Sequence, residues 1–124
     1  CRDMKSFTAN CCILLSLFLL SAPLEAAETS DQEIQLLIQA VGTSGCDFIR
    51  NGKRHDSQAA VEHMQLKYKR GKRYANTAEN FIDRLASKSS FSGKPDLIVC
   101  QDSGEHTASD WLHAALQVVR AKNL

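Results

Sequence analysis

Eight of the chain's 15 Lys and Arg residues fall between positions 50 and 73, opposed there only by Asp56 and Glu62. A chain with a net charge of +1 thus carries a local net charge of +6. Arg50, Lys53 and Arg54 surround an Asn51-Gly52 pair, and Lys67 and Lys69 lie near the end of an apolar-periodic stretch. Such a cluster attracts phosphates, carboxylates or acidic proteins through its summed field. These five residues are the leading candidates for a ligand contact. A second candidate is the run Ser90, Ser92, Gly93 and Lys94, where a tight loop of hydroxyls, a glycine and an ammonium can cradle an anion through backbone amides. It is not a nucleotide-binding P-loop. Lys88 stands where the motif requires its first glycine, and Pro95 where it requires Ser or Thr.

Nucleophilic catalysis would draw on Ser87, Ser89, Ser90 or Ser92, with one of the four histidines as base and an aspartate to orient it. That gives the alternative reading, a small hydrolase or inhibitor-like module with its site at the Ser87 to Lys94 loop. No Gly-x-Ser-x-Gly elbow accompanies these serines. His106, Asp110 and His113 have the spacing of one helical face and could hold zinc. Thr107, however, reads as a helix cap, which leaves His106 outside that helix, and there is no His-Glu-x-x-His motif. No metal and no cofactor is expected. The near-neutral overall balance, and the few aromatics within the basic stretch, argue against nucleic acid as a partner.

The elements that must position these residues follow from caps and periodicity. Ser30 with Glu33 reads as a capping box for a helix carrying Ile34, Leu37, Ile38 and Val41, which Gly42 and Gly45 bring to an end. Cys46 to Arg50 is a short β-prone run leading into Asn51-Gly52, the pair best suited to a type I′ hairpin turn. The return strand, Lys53 to His55, is polar and reads as an edge. Asp56 or Ser57 then caps a helix whose Val61, Met64 and Tyr68 share one face. Thr77 opens a third helix with Ala78, Phe81, Ile82, Leu85 and Ala86 as its stripe. After a Ser/Gly loop, Leu97 to Cys100 reads as a buried strand and Asp102-Ser103-Gly104 as a turn. Thr107 with Asp110 then starts a last helix carrying Trp111, Leu112, Ala115, Leu116 and Val119. The fold class is therefore α+β: a small single domain of about four helices on a two- or three-stranded, mainly antiparallel sheet.

Residues 1–26 stand apart from this domain. Lys5, an apolar run of about ten residues from Cys11 to Leu20, and small residues ending at Ala26 have the three-part form of a cleavable signal peptide. The natural start would be Met4 and the domain would occupy 27–124, with no stable membrane anchor after cleavage, since a span needs roughly 20 apolar residues. Of the five cysteines, Cys46 and Cys100 lie outside the leader, and in an exported chain such a pair reads as one disulfide. The expected location is the periplasm. The expected role is a non-enzymatic binding or accessory module for a periplasmic protein or an anionic cell-envelope component.

Several separate strings carry a family likeness: Phe48-Ile49-Arg50-Asn51-Gly52, Lys67-Tyr68, Thr77-Ala78-Glu79, Ser92-Gly93-Lys94-Pro95 and Trp111-Leu112. Together they resemble the YfeK-like family of small exported bacterial proteins, a domain of unknown function, from about Ile34 to Leu116. The resemblance implies a Gram-negative periplasmic location and a stand-alone domain. It assigns no catalytic or ligand-binding residue.

Overall fold

The computed structural model describes residues 22–122, with side chains described from residue 29 onward. Most of the expected leader, residues 1–21, lies outside the described residues, as do 123 and 124. The elements run in the order α1 (Ala22–Thr43), β1 (Asp47–Arg50), β2 (Lys53–His55), α2 (Ser57–Gly71), α3 (Ala78–Phe81), β3 (Leu97–Cys100), β4 (Gly104–Thr107) and α4 (Ala108–Lys122). The fold is α+β, with a four-stranded sheet of order β2-β1-β3-β4, antiparallel throughout.

Local chemistry accounts for most boundaries. Asn51 at φ 51° and Gly52 at φ 78° close the β1–β2 hairpin, in which Arg50 pairs with Lys53. Asp56 caps α2 by accepting the Ala59 amide at 2.8 Å. Thr77 caps α3 through the Asn80 amide, and Thr107 does the same for α4 through the Asp110 amide, both at 3.1 Å. Two expectations about helix form need revision. Ser30 lies within α1, which already runs from Ala22, and Glu33 turns to Arg120 of α4, accepting from Nε at 2.9 Å. The stretch opened by Thr77 is a regular α-helix only to Phe81, and Ile82–Ala86 continues in wider π-type turns. Carbonyls there are diverted to side chains: Ser87 Oγ donates to the Ile82 carbonyl, and Lys67 Nζ donates to the Leu85 carbonyl at 2.6 Å.

Strand alternation decides what faces the helices. Cys46 and Phe48 on one side, and Ile98 and Cys100 on the other, are buried, while Ile49, Leu97 and Val99 are half-buried on the opposite face. The helices cover the first face with Ile34, Leu37, Ile38, Phe81, Leu112 and Leu116, each at most 1% exposed. Tyr68 packs edge-on to Phe81, ring centroids 5.6 Å apart, and its hydroxyl donates to Asp31 Oδ1 at 2.6 Å. The Cys46–Cys100 disulfide spans a Cα separation of 4.4 Å and staples β1 to β3, as the cysteine arithmetic expects. Arg120 ties α4 to α1 and to α3 through Glu33 and Glu79. Among the described residues no helix is long and apolar enough to cross a membrane.

Candidate functional site

The site grows from the register of the central strands. Phe48 pairs with Ile98 and Ile49 with Leu97. Continuing that antiparallel register outward by one residue sets Arg50 opposite Asp96, just as continuing it inward sets Cys46 opposite Cys100. Since side chains alternate, Cys46, Phe48 and Arg50 share the helix-covered face with Asp96, Ile98 and Cys100. At the disulfide end that face meets the core; at the other end it presents an arginine and an aspartate to α2. His55, paired with Phe48, joins the same face from β2.

Helix α2 supplies the opposite wall. His63, Lys67 and Arg70 recur at i, i+4 and i+7, one stripe of the helix. The third wall is the 87–96 loop, closed by Asp96 N to the Ser87 carbonyl at 2.9 Å, Gly93 N to the Ser89 carbonyl at 2.9 Å and Ser89 N to the Lys94 carbonyl at 3.0 Å. The buried Ser89 hydroxyl accepts the amides of Phe91 at 3.2 Å and Ser92 at 3.3 Å. Asn51 clamps the loop to the hairpin: its Nδ2 donates to Ser89 Oγ at 3.1 Å, and its Oδ1 accepts from Ser92 Oγ at 2.5 Å. Lys67 reaches the same loop, donating to the Lys88 carbonyl at 2.8 Å.

These walls enclose two connected spaces. The outer cleft, about 470 Å³, is lined by Arg50, Asn51, Lys67, Arg70, Ser89 and Ser90, with Leu66, Tyr74 and Phe91 giving it apolar patches. The inner chamber, about 10 Å³, is lined by Arg50, His55, His63, Lys67 and Asp96 beside Phe48 and Met64. Arg50, His63, Lys67 and Leu85 line both. Two of the residues lining the chamber each carry a buried polar atom, His63 Nε2 and Asp96 Oδ1, with no hydrogen-bond partner among the described residues. Burial is the main force drawing the His63 imidazole down to about 4, and the charges of Arg50, Lys67 and His55 act with it. His63 is therefore neutral at physiological pH. Burial likewise lowers the Lys67 ammonium, against the pull of Asp96, and raises the Asp96 carboxyl, against the pull of Lys67, Arg50 and His55.

Of the residues singled out from charge, Arg50 and Lys67 come together in this cleft. Lys53 and Arg54 are exposed on the edge strand, where Arg54 pairs with Asp47 at 2.6 Å. Lys69 is exposed on α2 about 200° around the helix from Lys67 and does not line the cleft. Of the second candidate run, Ser90 lines the cleft, whereas Ser92, Gly93 and Lys94 form the loop's own turn, the Lys94 amide donating to Ser92 Oγ at 3.3 Å. From sequence, His63 counts only among four possible catalytic bases, Arg70 only within the basic cluster and Asn51 only as a turn residue, and Asp96 is not singled out. Helical periodicity from Lys67 was a signal for the first two.

The remaining chemical candidates go elsewhere. Ser87, Ser89 and Ser92 bond to a carbonyl, to amides and to Asn51 as described; among the described residues none of them hydrogen-bonds an imidazole. His106 Nε2 lies 3.1 Å from Ser103 Oγ, and His113 Nε2 lies 2.9 Å from Asp83 Oδ1, so the two imidazoles turn to different partners. Among the described residues no group of three or more His, Cys, Asp or Glu side chains could hold a metal ion.

Fold and site together define a small disulfide-stapled α+β domain with a cationic cleft at one end of its sheet. The chain belongs to the family of unknown function DUF5329, which matches residues 28–120. It is similar to the uncharacterized protein YfeK of Salmonella typhimurium, 34% identical over 86 residues that make up 68% of this chain and 72% of that protein. The likeness read from the Phe-Ile-Arg-Asn-Gly and Ser-Gly-Lys-Pro strings is thus borne out. No solved structure matches the chain.

Proposed function

We propose that this protein is a non-enzymatic periplasmic binding module that holds an anionic group of a cell-envelope component in the cleft between α2, the β1–β2 hairpin and the 87–96 loop. The observation that carries the reading is the cleft's lining: Arg50, Lys67 and Arg70 with the uncharged donors Asn51, Ser89 and Ser90, and no carboxylate. Lys67 spends two of its three N–H donors on the carbonyls of Leu85 and Lys88, which fixes the ammonium and leaves one for a ligand. A cystine bridge between β1 and β3 suits an oxidising compartment, which supports export.

The test is a thermal-unfolding series on the oxidised protein with polyanions, peptidoglycan fragments and anionic lipids at low and high salt. A ligand at about 100 times its dissociation constant adds roughly 2.7 kcal/mol, several degrees for a domain of this size. The expected shift shrinks in high salt and is lost when Arg50 and Arg70 are both changed to Glu. An anion-induced shift that survives both changes would place the ligand elsewhere. Export is checked separately by fractionation and by sequencing the amino terminus of the secreted protein, which should begin near residue 27.

A further inference from the structure

We infer that the cleft is shaped for a carboxylated sugar, with a ligand hydroxyl seated between Asp96 Oδ1 and His63 Nε2 and the acid group held farther out by Arg50 and Arg70. The inference rests on the anion-binding reading above and names its ligand class. Asp96 is only 5% exposed, yet its Oδ1 has no partner among the described residues, and His63, whose Nε2 likewise has none, lines the same small chamber. Buried polar atoms in folded proteins are satisfied as a rule, so two unsatisfied ones on residues that line one space mark a position for an outside group.

The chemistry of that group is narrow. The chamber has room for one water-sized group. With the ring proton on Nε2, His63 offers a donor and Asp96 an acceptor, and a hydroxyl, at once donor and acceptor, answers both. An ammonium cannot accept from His63 and would sit among Arg50 and Lys67. A carboxylate or phosphate would face Asp96 and exceed the space. A single water fits as well, and a ligand hydroxyl that reproduces its bonds can take its place.

The outer end asks for more. His63 and Arg70 are seven residues apart, about 10 Å along the helix, too far for one acid group to serve both ends. The cleft lining also carries apolar groups: Leu66, Tyr74, whose ring has the Arg73 guanidinium 4.8 Å from its centroid, and Phe91, which is 99% exposed. An aromatic so open to water is suited to covering by the C–H face of a ring. Hydroxyl at the inner end, apolar ring face along the wall and acid at the arginines together describe a carboxylated sugar. A hexuronate and a lactyl-bearing hexosamine share this chemistry.

Calorimetric titration of the oxidised protein decides it. The probes are D-glucuronate and N-acetylmuramate, their neutral counterparts glucose and N-acetylglucosamine, and the bare anions acetate and inorganic phosphate. At least one sugar acid is expected to bind tenfold or more tightly than its neutral counterpart and than either bare anion, and which one does so identifies the source. Asp96→Asn and His63→Leu should each weaken that sugar acid at least tenfold more than they change binding of the bare anions; circular dichroism confirms that each variant is folded. Acetate or phosphate binding as tightly as the sugar acids would overturn the hydroxyl subsite and leave the anion cleft standing. Equal binding of the neutral sugar would overturn the acid arm. No binding of any anion would remove the cleft reading itself.

Discussion

Acidification should destabilise this protein through His63. In the folded chain the imidazole is drawn from 6.5 to about 4, first by burial and then by Arg50, Lys67 and His55. Between those values the unfolded chain binds a proton that the folded chain refuses. The contribution is therefore fully present above about pH 6.5 and drains away as pH falls toward 4. A tenfold difference in proton affinity between the folded and unfolded chains corresponds to about 1.4 kcal/mol. Because the side chain is only partly buried, solvent screening reduces the sum to about 1–2 kcal/mol. Asp96 acts in the opposite sense: its raised carboxyl pKa favours the folded state as pH falls, so the wild-type curve alone mixes the two groups. The comparison of wild type with His63→Gln separates them. Urea unfolding at about pH 7 and about pH 4.5, at constant ionic strength, should show the wild type losing about 1–2 kcal/mol more than the variant. Equal losses, or an NMR titration of His63 with a midpoint near the ordinary histidine value, would refute the reasoning.

Two further outcomes follow from the scaffold. Replacing Cys46 and Cys100 together by Ser opens a loop with a sequence separation of 54, for which chain entropy gives about 4 kcal/mol. The urea midpoint should fall accordingly, and a loss under about 1 kcal/mol would mean that the reduced unfolded state is already compact. Asn51→Gly keeps the positive φ of the turn and removes both clamps to Ser89 and Ser92. Stability should fall by only about 1 kcal/mol, while amide exchange at residues 89–94 accelerates at least tenfold. Unchanged exchange would show that the loop holds its shape without the hairpin.

The sequence was most legible where a single residue type has one local use. Asn51-Gly52, Asp56, Thr77 and Thr107 each mark a turn or cap that the structure contains. The stripe Ile34, Leu37, Ile38 and Val41 is core throughout. Strand β4 was not legible, because Gly-Glu-His-Thr has no apolar alternation; its pairing with β3, not its composition, makes it a strand. The wide turns after Phe81 depend on Lys67, 18 residues upstream of the Leu85 carbonyl it takes, and no local pattern announces that. The site divides in the same way. Arg50 and Lys67 stood out by charge, whereas Asp96, a lone acid before a strand, acquires meaning only from what it is paired against.

That pairing explains why one bridge and one cleft belong together. The two ends of a single register, Cys46 beside Cys100 and Arg50 facing Asp96, lie on the same face of β1 and β3. A slip of one residue between the two strands would turn one strand's set to the opposite face, Phe48 with Arg50 or Ile98 with Asp96, and so part the pairs. The bridge forbids that slip, because it fixes the partners at one end of a pairing only a few residues long. The buried Phe48 and Ile98 between the ends reward the same alignment. Holding an unpartnered carboxylate oxygen at the edge of the core costs free energy that a looser sheet would escape by turning Asp96 to water. The covalent staple removes that escape, and so the strand pair keeps Asp96 in the wall of a chamber that α2 closes with His63 and that shares Arg50 and Lys67 with the cationic cleft.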